Sequence, residues 1–108
     1  MNRAQALAEF ATFGKYKDEA ISIIVASTIN NQAPIYTLGL ATVIDVLTRC
    51  QADEIDLDDL ELWANVIESR TDIDYSTVEG VIYALSNSEQ MGNLDKAKVA
   101  RLLELLTA

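Results

Sequence analysis

Three segments of this chain open with the same residue pattern, and that pattern constrains the fold more than any other feature. An apolar residue is followed by aspartate and, four positions later, by a second apolar residue: Ile55-Asp56…Leu60, Ile73-Asp74…Val78 and Leu94-Asp95…Val99. Aspartate at a helix N-cap accepts backbone N–H groups of the first turn, and the flanking apolar pair forms a hydrophobic staple. The pattern predicts helices that begin near Asp56, Asp74 and Asp95. Ser76 and Glu79 offer an alternative capping box for the second of these, so that boundary stays open.

The residues before Ile55 predict three further helices, since one proline and four glycines leave few positions that interrupt regular structure. The first would span about 3–13 and end at Gly14, because glycine accepts the left-handed conformation common at helix ends. The second would span about 18–29 and bury Ile21, Ile24, Val25 and Ile29. The third would continue from Pro34 to about residue 50. No segment alternates in the manner of a strand. The sequence thus predicts an all-α protein, a single compact bundle of about six helices that forms one domain over residues 1–108.

The longest uncharged segment, residues 20–44, raises the question of a membrane anchor. Residues 30–34 divide it into two apolar arms of about ten residues each, too short to span a bilayer. We therefore expect a buried helical hairpin and no membrane partner, with a homodimer face as the alternative for part of it. Residues 4–13 lack the pattern of a secretory signal because Glu9 interrupts them. The single cysteine, Cys50, excludes an intramolecular disulfide and fits a reducing compartment, so a cytoplasmic location is expected.

Familiar catalytic and metal-binding patterns are missing from the sequence. The chain has no histidine, which excludes Ser-His-Asp and Cys-His arrangements and every His-ligated metal site. Cys50 is expected to be a small core residue rather than a nucleophile. Asp72-x-Asp74-x-Ser76 matches the start of a calcium loop, but Thr77 and Tyr83 stand where glycine and glutamate are needed. We expect no enzymatic activity, no catalytic residues, no cofactor and no metal.

The whole net charge of −9 arises in one quarter of the chain. Residues 53–79 hold ten acids against one base, Arg70, whereas acids and bases balance elsewhere. Helical periodicity places Leu60, Trp63, Ala64 and Ile67 in the core and Asp58, Glu61, Asn65 and Glu68 outward, and it places Glu79 and Tyr83 outward on the next helix. Because crowded like charges repel, such a surface destabilises the fold unless a basic group meets it.

Two interpretations of this surface stay open. Acids such as Asp58 and Asp59 oppose the dipole of their helix, and a solvated acidic face needs no partner. Glu61, Glu68 and Asp72 lie beyond the first turn or between helices, so the dipole does not account for them. We predict that the acids steer a basic protein partner and that apolar and aromatic neighbours anchor it. The predicted contact residues are Asp58, Glu61, Leu62, Glu68, Asp72, Asp74, Tyr75, Glu79 and Tyr83.

Part of the same region resembles a known class of proteins. The segment from Trp63 to Ile73, WANVIESRTDI, together with Leu85-Ser86-Asn87, resembles small acidic bacterial proteins that act as immunity partners of secreted toxins in contact-dependent growth inhibition systems. The resemblance implies a cytoplasmic protein that binds one basic toxin domain, often a nuclease, without contacting nucleic acid itself. The alternatives are a non-enzymatic helical adaptor or regulatory module, homodimeric through the second and third helices, and an inhibitor that imitates nucleic-acid phosphates.

Overall fold

The computed structural model describes residues 2–26, 36–87 and 94–107, and most of these residues lie in six α-helices. The helices are α1 (Arg3–Ala11), α2 (Lys17–Ala26), α3 (Leu40–Gln51), α4 (Leu57–Ser69), α5 (Glu79–Ser86) and α6 (Lys96–Thr107). A 3-10 turn, Ser76–Val78, leads directly into α5. The predicted all-α bundle of about six helices is confirmed. Its radius of gyration is 13.4 Å, against about 13 Å expected for a compact chain of this length.

The expectation that no strand forms is wrong. Strand β1 (Tyr36–Thr37) pairs in parallel with β2 (Ile73–Asp74). Two residues are too few to show alternation, and a parallel pair needs no hairpin turn, so neither sequence signal of a strand is present. Because residues 36–37 form β1, α3 begins at Leu40 rather than near Pro34.

The helices pack mainly in three pairs, α1 with α2, α3 with α6 and α4 with α5. The predicted hairpin of the second and third helices is therefore wrong for the described residues, and its turn and Ile29 lie outside them. Val25 is 73% exposed, against the expectation that it is buried. Ala20 and Ile24 occupy the side of α2 that faces the core, and Val25 lies on the next face around the helix.

Other helices satisfy the carbonyl groups at the end of α1. The indole Nε1 of Trp63 donates to the backbone oxygens of Phe10 and Ala11 at 3.1 and 3.2 Å. The guanidinium of Arg49 donates to those of Thr12 and Phe13, at 3.1 and 3.0 Å. One side chain of α4 and one of α3 thus fix the turn that follows α1.

The left-handed residue in this turn is Phe13, with a φ of 55°, and not Gly14 as predicted. Gly14 matters for a different reason, because a Cβ atom there would overlap the carboxylate of Glu9 and displace that flexible side chain. That carboxylate accepts the backbone N–H of Tyr16 at 2.9 Å and so closes the turn before α2. Glycine therefore permits a close approach here rather than an unusual backbone angle.

The three matching segments have different structures. Asp56 is the N-cap of α4 but makes no side-chain cap bond, whereas Oδ1 of Asp95 accepts the N–H of Lys98 at 2.8 Å at the start of α6. Helices near Asp56 and Asp95 are confirmed. The prediction for Asp74 is wrong, since Asp74 belongs to β2 and its Oδ1 accepts the N–H and the hydroxyl of Ser76 at 3.0 and 2.7 Å. The alternative capping box also fails, because the Ser76 hydroxyl is bonded to Asp74 and α5 begins only at Glu79.

Candidate protein-binding surface

Helix α4 has a core side and a solvent side, as its periodicity predicted. Leu60, Trp63, Ala64 and Ile67 are buried. On the other side Asp58 and Glu68 are exposed, Glu61 is half-buried, and Leu62 is 57% exposed. Asp58 and Glu68 are ten residues apart, which separates them by about 15 Å along the helix axis. The helix therefore presents a line of carboxylates beside one large apolar side chain.

At the C-terminal end of α4 the acids of two helices meet around a tyrosine. The hydroxyl of Tyr75 donates to the backbone oxygen of Glu68 at 3.2 Å. Burial, and then the nearby carboxylates of Glu68 and Glu79, raise the pKa of Tyr75. Asp74 and Glu79 line an open depression of about 230 Å³ next to the same tyrosine. We call the group Glu68, Asp74, Tyr75, Glu79 and Tyr83 the Tyr75 corner.

The side chains of the Tyr75 corner differ in how they are held. The Glu68 carboxylate accepts a hydrogen bond from the hydroxyl of Ser86, which lies at the end of α5. The hydroxyl and the N–H of Ser76 lower the pKa of Asp74, so this carboxylate stays ionised at neutral pH. Tyr83 lies one turn after Glu79 and is 52% exposed. The corner thus combines acidic side chains of α4, β2 and α5 with an exposed aromatic ring.

Asp72 does not belong to this surface, and its predicted role in partner contact is wrong. Only 3% of the residue is exposed. Its carboxylate accepts hydrogen bonds from Nε and Nη2 of Arg70 at 2.9 and 2.6 Å, and from Nε and Nη2 of Arg3 at 3.2 and 3.0 Å. The hydrogen bonds from Arg70 are the main reason that its pKa lies below the usual value; burial opposes them and Arg3 adds to them. Sequence reasoning found only Arg70, since Arg3 lies 69 positions away and no local pattern points to it.

Internal ion pairs neutralise only part of the acidic segment. Asp53 pairs with Lys96, and Glu54 pairs with Arg49 at 3.2 Å. Together with Asp72, these acids account for three of the ten between residues 53 and 79. The other seven form no ion pair with any described residue, and we call them the acidic surface: Asp56, Asp58, Asp59, Glu61, Glu68, Asp74 and Glu79.

Other parts of the structure offer less chemistry. Asp53, Asp56 and Asp58 line, with Lys96, a shallow cavity of about 360 Å³. Across residues 2–26, 36–87 and 94–107, no group of three or more acidic or cysteine side chains could hold a metal ion. Cys50 is fully buried in the core, as predicted, and burial raises the pKa of its thiol. None of the helices in the described ranges has the length and apolar character needed to cross a membrane.

Comparison with protein-family models, with curated proteins and with solved structures gives no significant match for this chain. Its function is therefore inferred from the surface itself. This surface combines seven carboxylates that have no ion-pair partner among the described residues with two large exposed side chains, Leu62 and Tyr83.

Proposed function

We propose that this chain is an immunity protein, which binds and neutralises a basic toxin domain with nuclease activity through the acidic surface. The protein acts in the cytoplasm, has no enzymatic activity and does not contact nucleic acid itself. A nuclease is the partner that fits best, because its active cleft must be cationic in order to hold phosphates.

The observation that carries this proposal is the position of Glu68. It lies in the last turn of α4, where the helix dipole disfavours an acid, and no basic residue occupies that turn. Asp58, Asp59 and Glu79 each lie in the first turn of a helix, so the dipole alone accounts for them. Glu68 is exposed and forms no ion pair with a described residue. Its carboxylate accepts the hydroxyl of Ser86, a neutral donor that leaves the negative charge at this end of the helix uncompensated. A role outside the fold explains its presence better than solvation does.

The physical consequences of such a surface support the same function. Unpaired charges attract a basic partner over a distance and raise the association rate, whereas exposed apolar and aromatic side chains contribute most of the energy that slows dissociation. Leu62 and Tyr83 are large side chains that are more than half exposed on the helices that carry the acids. The surface therefore has both acids that would steer the approach of a basic partner and exposed side chains that would anchor it.

A charge-reversal experiment tests the proposal. The test variant is Glu61→Lys with Glu68→Lys, and the matched control is Glu19→Lys with Glu104→Lys, two acids on α2 and α6 that have the same effect on net charge. Where the gene immediately upstream encodes a large secreted protein with a variable C-terminal domain, that domain is the partner tested. Affinity and inhibition of nucleic-acid cleavage are measured at about 50 and about 200 mM salt. We expect the test variant to lose more than about tenfold in affinity and the control to bind almost as the natural chain does.

Two results would contradict the proposal. One is that the natural chain does not bind or inhibit that domain. The other is that the test variant, shown by circular dichroism to be folded, binds as tightly as the control. A stable dimer of the isolated chain that the charge reversal does not affect would instead favour the adaptor hypothesis.

A further inference from the structure

The connection between α4 and α5, residues 70–74, is fixed to several other elements. Arg70 is the C-cap of α4, and its Nη1 donates to the backbone oxygen of Ile24 on α2 at 3.4 Å. The backbone oxygens of Asp72 and Asp74 accept the N–H groups of Tyr36 and Leu38, at 3.2 and 2.8 Å. This short segment is thus held by α2 and by the residues of β1 and just after it.

A buried ion cluster adds α1 to these attachments. Arg3, the first residue of α1, and Arg70 both donate to the carboxylate of Asp72, and the two arginine side chains are 22% and 9% exposed. No polar side-chain atom that is buried in the described residues lacks a hydrogen-bond partner. Arg70 donates from Nε to Oδ1 and from Nη2 to Oδ2, a two-point fork that fixes orientation as well as distance, and both donors of Arg3 reach Oδ2.

Stability alone does not explain such a cluster. The cost of removing two guanidinium groups and a carboxylate from water offsets much of their attraction, and apolar side chains of similar volume often stabilise a fold equally well. Apolar side chains do not form directional hydrogen bonds, whereas a guanidinium that donates two hydrogen bonds to a carboxylate fixes the path of the chain. That path brings Tyr75 back to α4, where its hydroxyl reaches the backbone oxygen of Glu68.

We propose that Arg3, Asp72 and Arg70 form a positioning cluster, which holds the connection between α4 and α5 so that Glu68 and Glu79 present one shared docking site at Tyr75. The three residues do not touch the partner. They act by fixing the relative position of the acids of two helices. The docking part of this inference rests on the function proposed above, whereas the positioning part does not.

The partner-free test uses Asp72→Asn, with Asp58→Asn as the matched control. Both substitutions remove one negative charge, but Asp58 is exposed on α4 and lies outside the cluster. The phenol of Tyr75 is titrated by NMR of its labelled ring carbon. Since burial and the carboxylates of Glu68 and Glu79 raise the pKa of Tyr75, we expect Asp72→Asn to lower that pKa and Asp58→Asn to leave it almost unchanged.

A second variant covers the case in which Asp72→Asn does not fold. Arg3→Gln removes the ion pair between Arg3, the more exposed arginine of the cluster, and Asp72, and it leaves the ion pair of Arg70 with Asp72 in place. We expect Arg3→Gln to lower the pKa of Tyr75 by less than Asp72→Asn does. Arg3→Lys keeps the positive charge but not the planar group, and we expect its Tyr75 pKa to lie between those of Arg3→Gln and the natural chain. An unchanged pKa of Tyr75 in the folded variants would overturn the positioning cluster, whether or not any partner binds.

The binding test uses the same upstream toxin domain. The control for binding is Glu104→Gln, which removes one exposed acid on α6, outside the acidic surface. Asp72→Asn and Glu104→Gln remove equal charge, so we expect similar association rates, with a dissociation rate more than about tenfold faster for Asp72→Asn only. A lowered pKa of Tyr75 together with unchanged dissociation would overturn the shared docking site. Failure of the natural chain to bind the domain would refute the proposed function, and the titration would still decide the positioning role.

Discussion

Replacement of Trp63 by phenylalanine tests whether helix α4 caps helix α1. The indole is 1% exposed, and it is the sole donor to the backbone oxygen of Ala11 in the described part of the chain. The oxygen of Phe10 keeps a second donor, the N–H of Phe13. Leaving one buried carbonyl without a partner costs about 1–3 kcal/mol. The smaller ring leaves a void that adds about 1 kcal/mol, well below the roughly 3–5 kcal/mol for complete removal of a buried aromatic side chain.

We therefore expect Trp63→Phe to lower the free energy of unfolding by about 2–4 kcal/mol, which is a large fraction of the roughly 5–15 kcal/mol of a typical domain. Trp63 is the only tryptophan, so urea unfolding must be followed by circular dichroism at helical wavelengths. Benzothienylalanine at position 63 keeps the shape of the indole but lacks the N–H, and it isolates the hydrogen bond. We expect it to lose about 1–3 kcal/mol. Stability equal to that of the natural chain would show that the indole does not cap α1.

Three further predictions concern stability. The pKa of Asp72 is lower in the folded than in the unfolded protein. The ion cluster therefore contributes its full stabilisation above the unfolded pKa of about 3.9, and this stabilisation is lost as pH falls through the folded pKa. Urea titrations between about pH 5 and 2 should show that Asp72→Asn removes this part of the pH dependence of stability. Gly14→Ala should destabilise by about 1 kcal/mol because the Cβ displaces the Glu9 carboxylate from its N–H donor, and a double-mutant cycle with Glu9→Ala should show this cost disappearing. Asp95→Ala should cost about 1 kcal/mol in thermal or urea unfolding, and Asp56→Ala less than about 0.5, since only Asp95 makes a cap bond; equal costs would contradict this.

Local periodicity was sufficient to predict the number of helices and the two sides of α4, but not where α3 and α5 begin. The buried residues Leu60, Trp63 and Ile67 follow the helical repeat, so the side of the helix on which each lies can be read from residues a few positions away. The end of α1 could not be predicted in this way. Its donors, Trp63 and Arg49, lie 36 to 53 positions further along the chain, so the backbone angle at Phe13 depends on contacts that no local pattern contains.

Identical short patterns gave different structures for the same reason. Ile55-Asp56 and Ile73-Asp74 match residue for residue, yet the first pair precedes a helix and the second forms strand β2. The difference lies in the partner, because β2 pairs with residues 36–37, far away in the sequence. A preference for helix initiation is weak enough to be overridden by such tertiary contacts.

In the candidate site, too, the exposure of helix-face acids could be predicted from the sequence, whereas the ion pairs that acids in connections form with distant residues could not. The three acids of residues 53–79 that form internal ion pairs, Asp53, Glu54 and Asp72, all lie in connections between elements. Lys96 and Arg3 reach them from distant segments, whereas Arg49 and Arg70 are only five and two residues away from their partners. Connections lie where several helices converge, so a charge there meets side chains from other elements. A charge on the outer side of a helix, such as Glu61 or Glu68, is directed away from those elements. The acids whose exposure a sequence predicts best are thus those on helix faces, and the same geometry leaves them available to a partner.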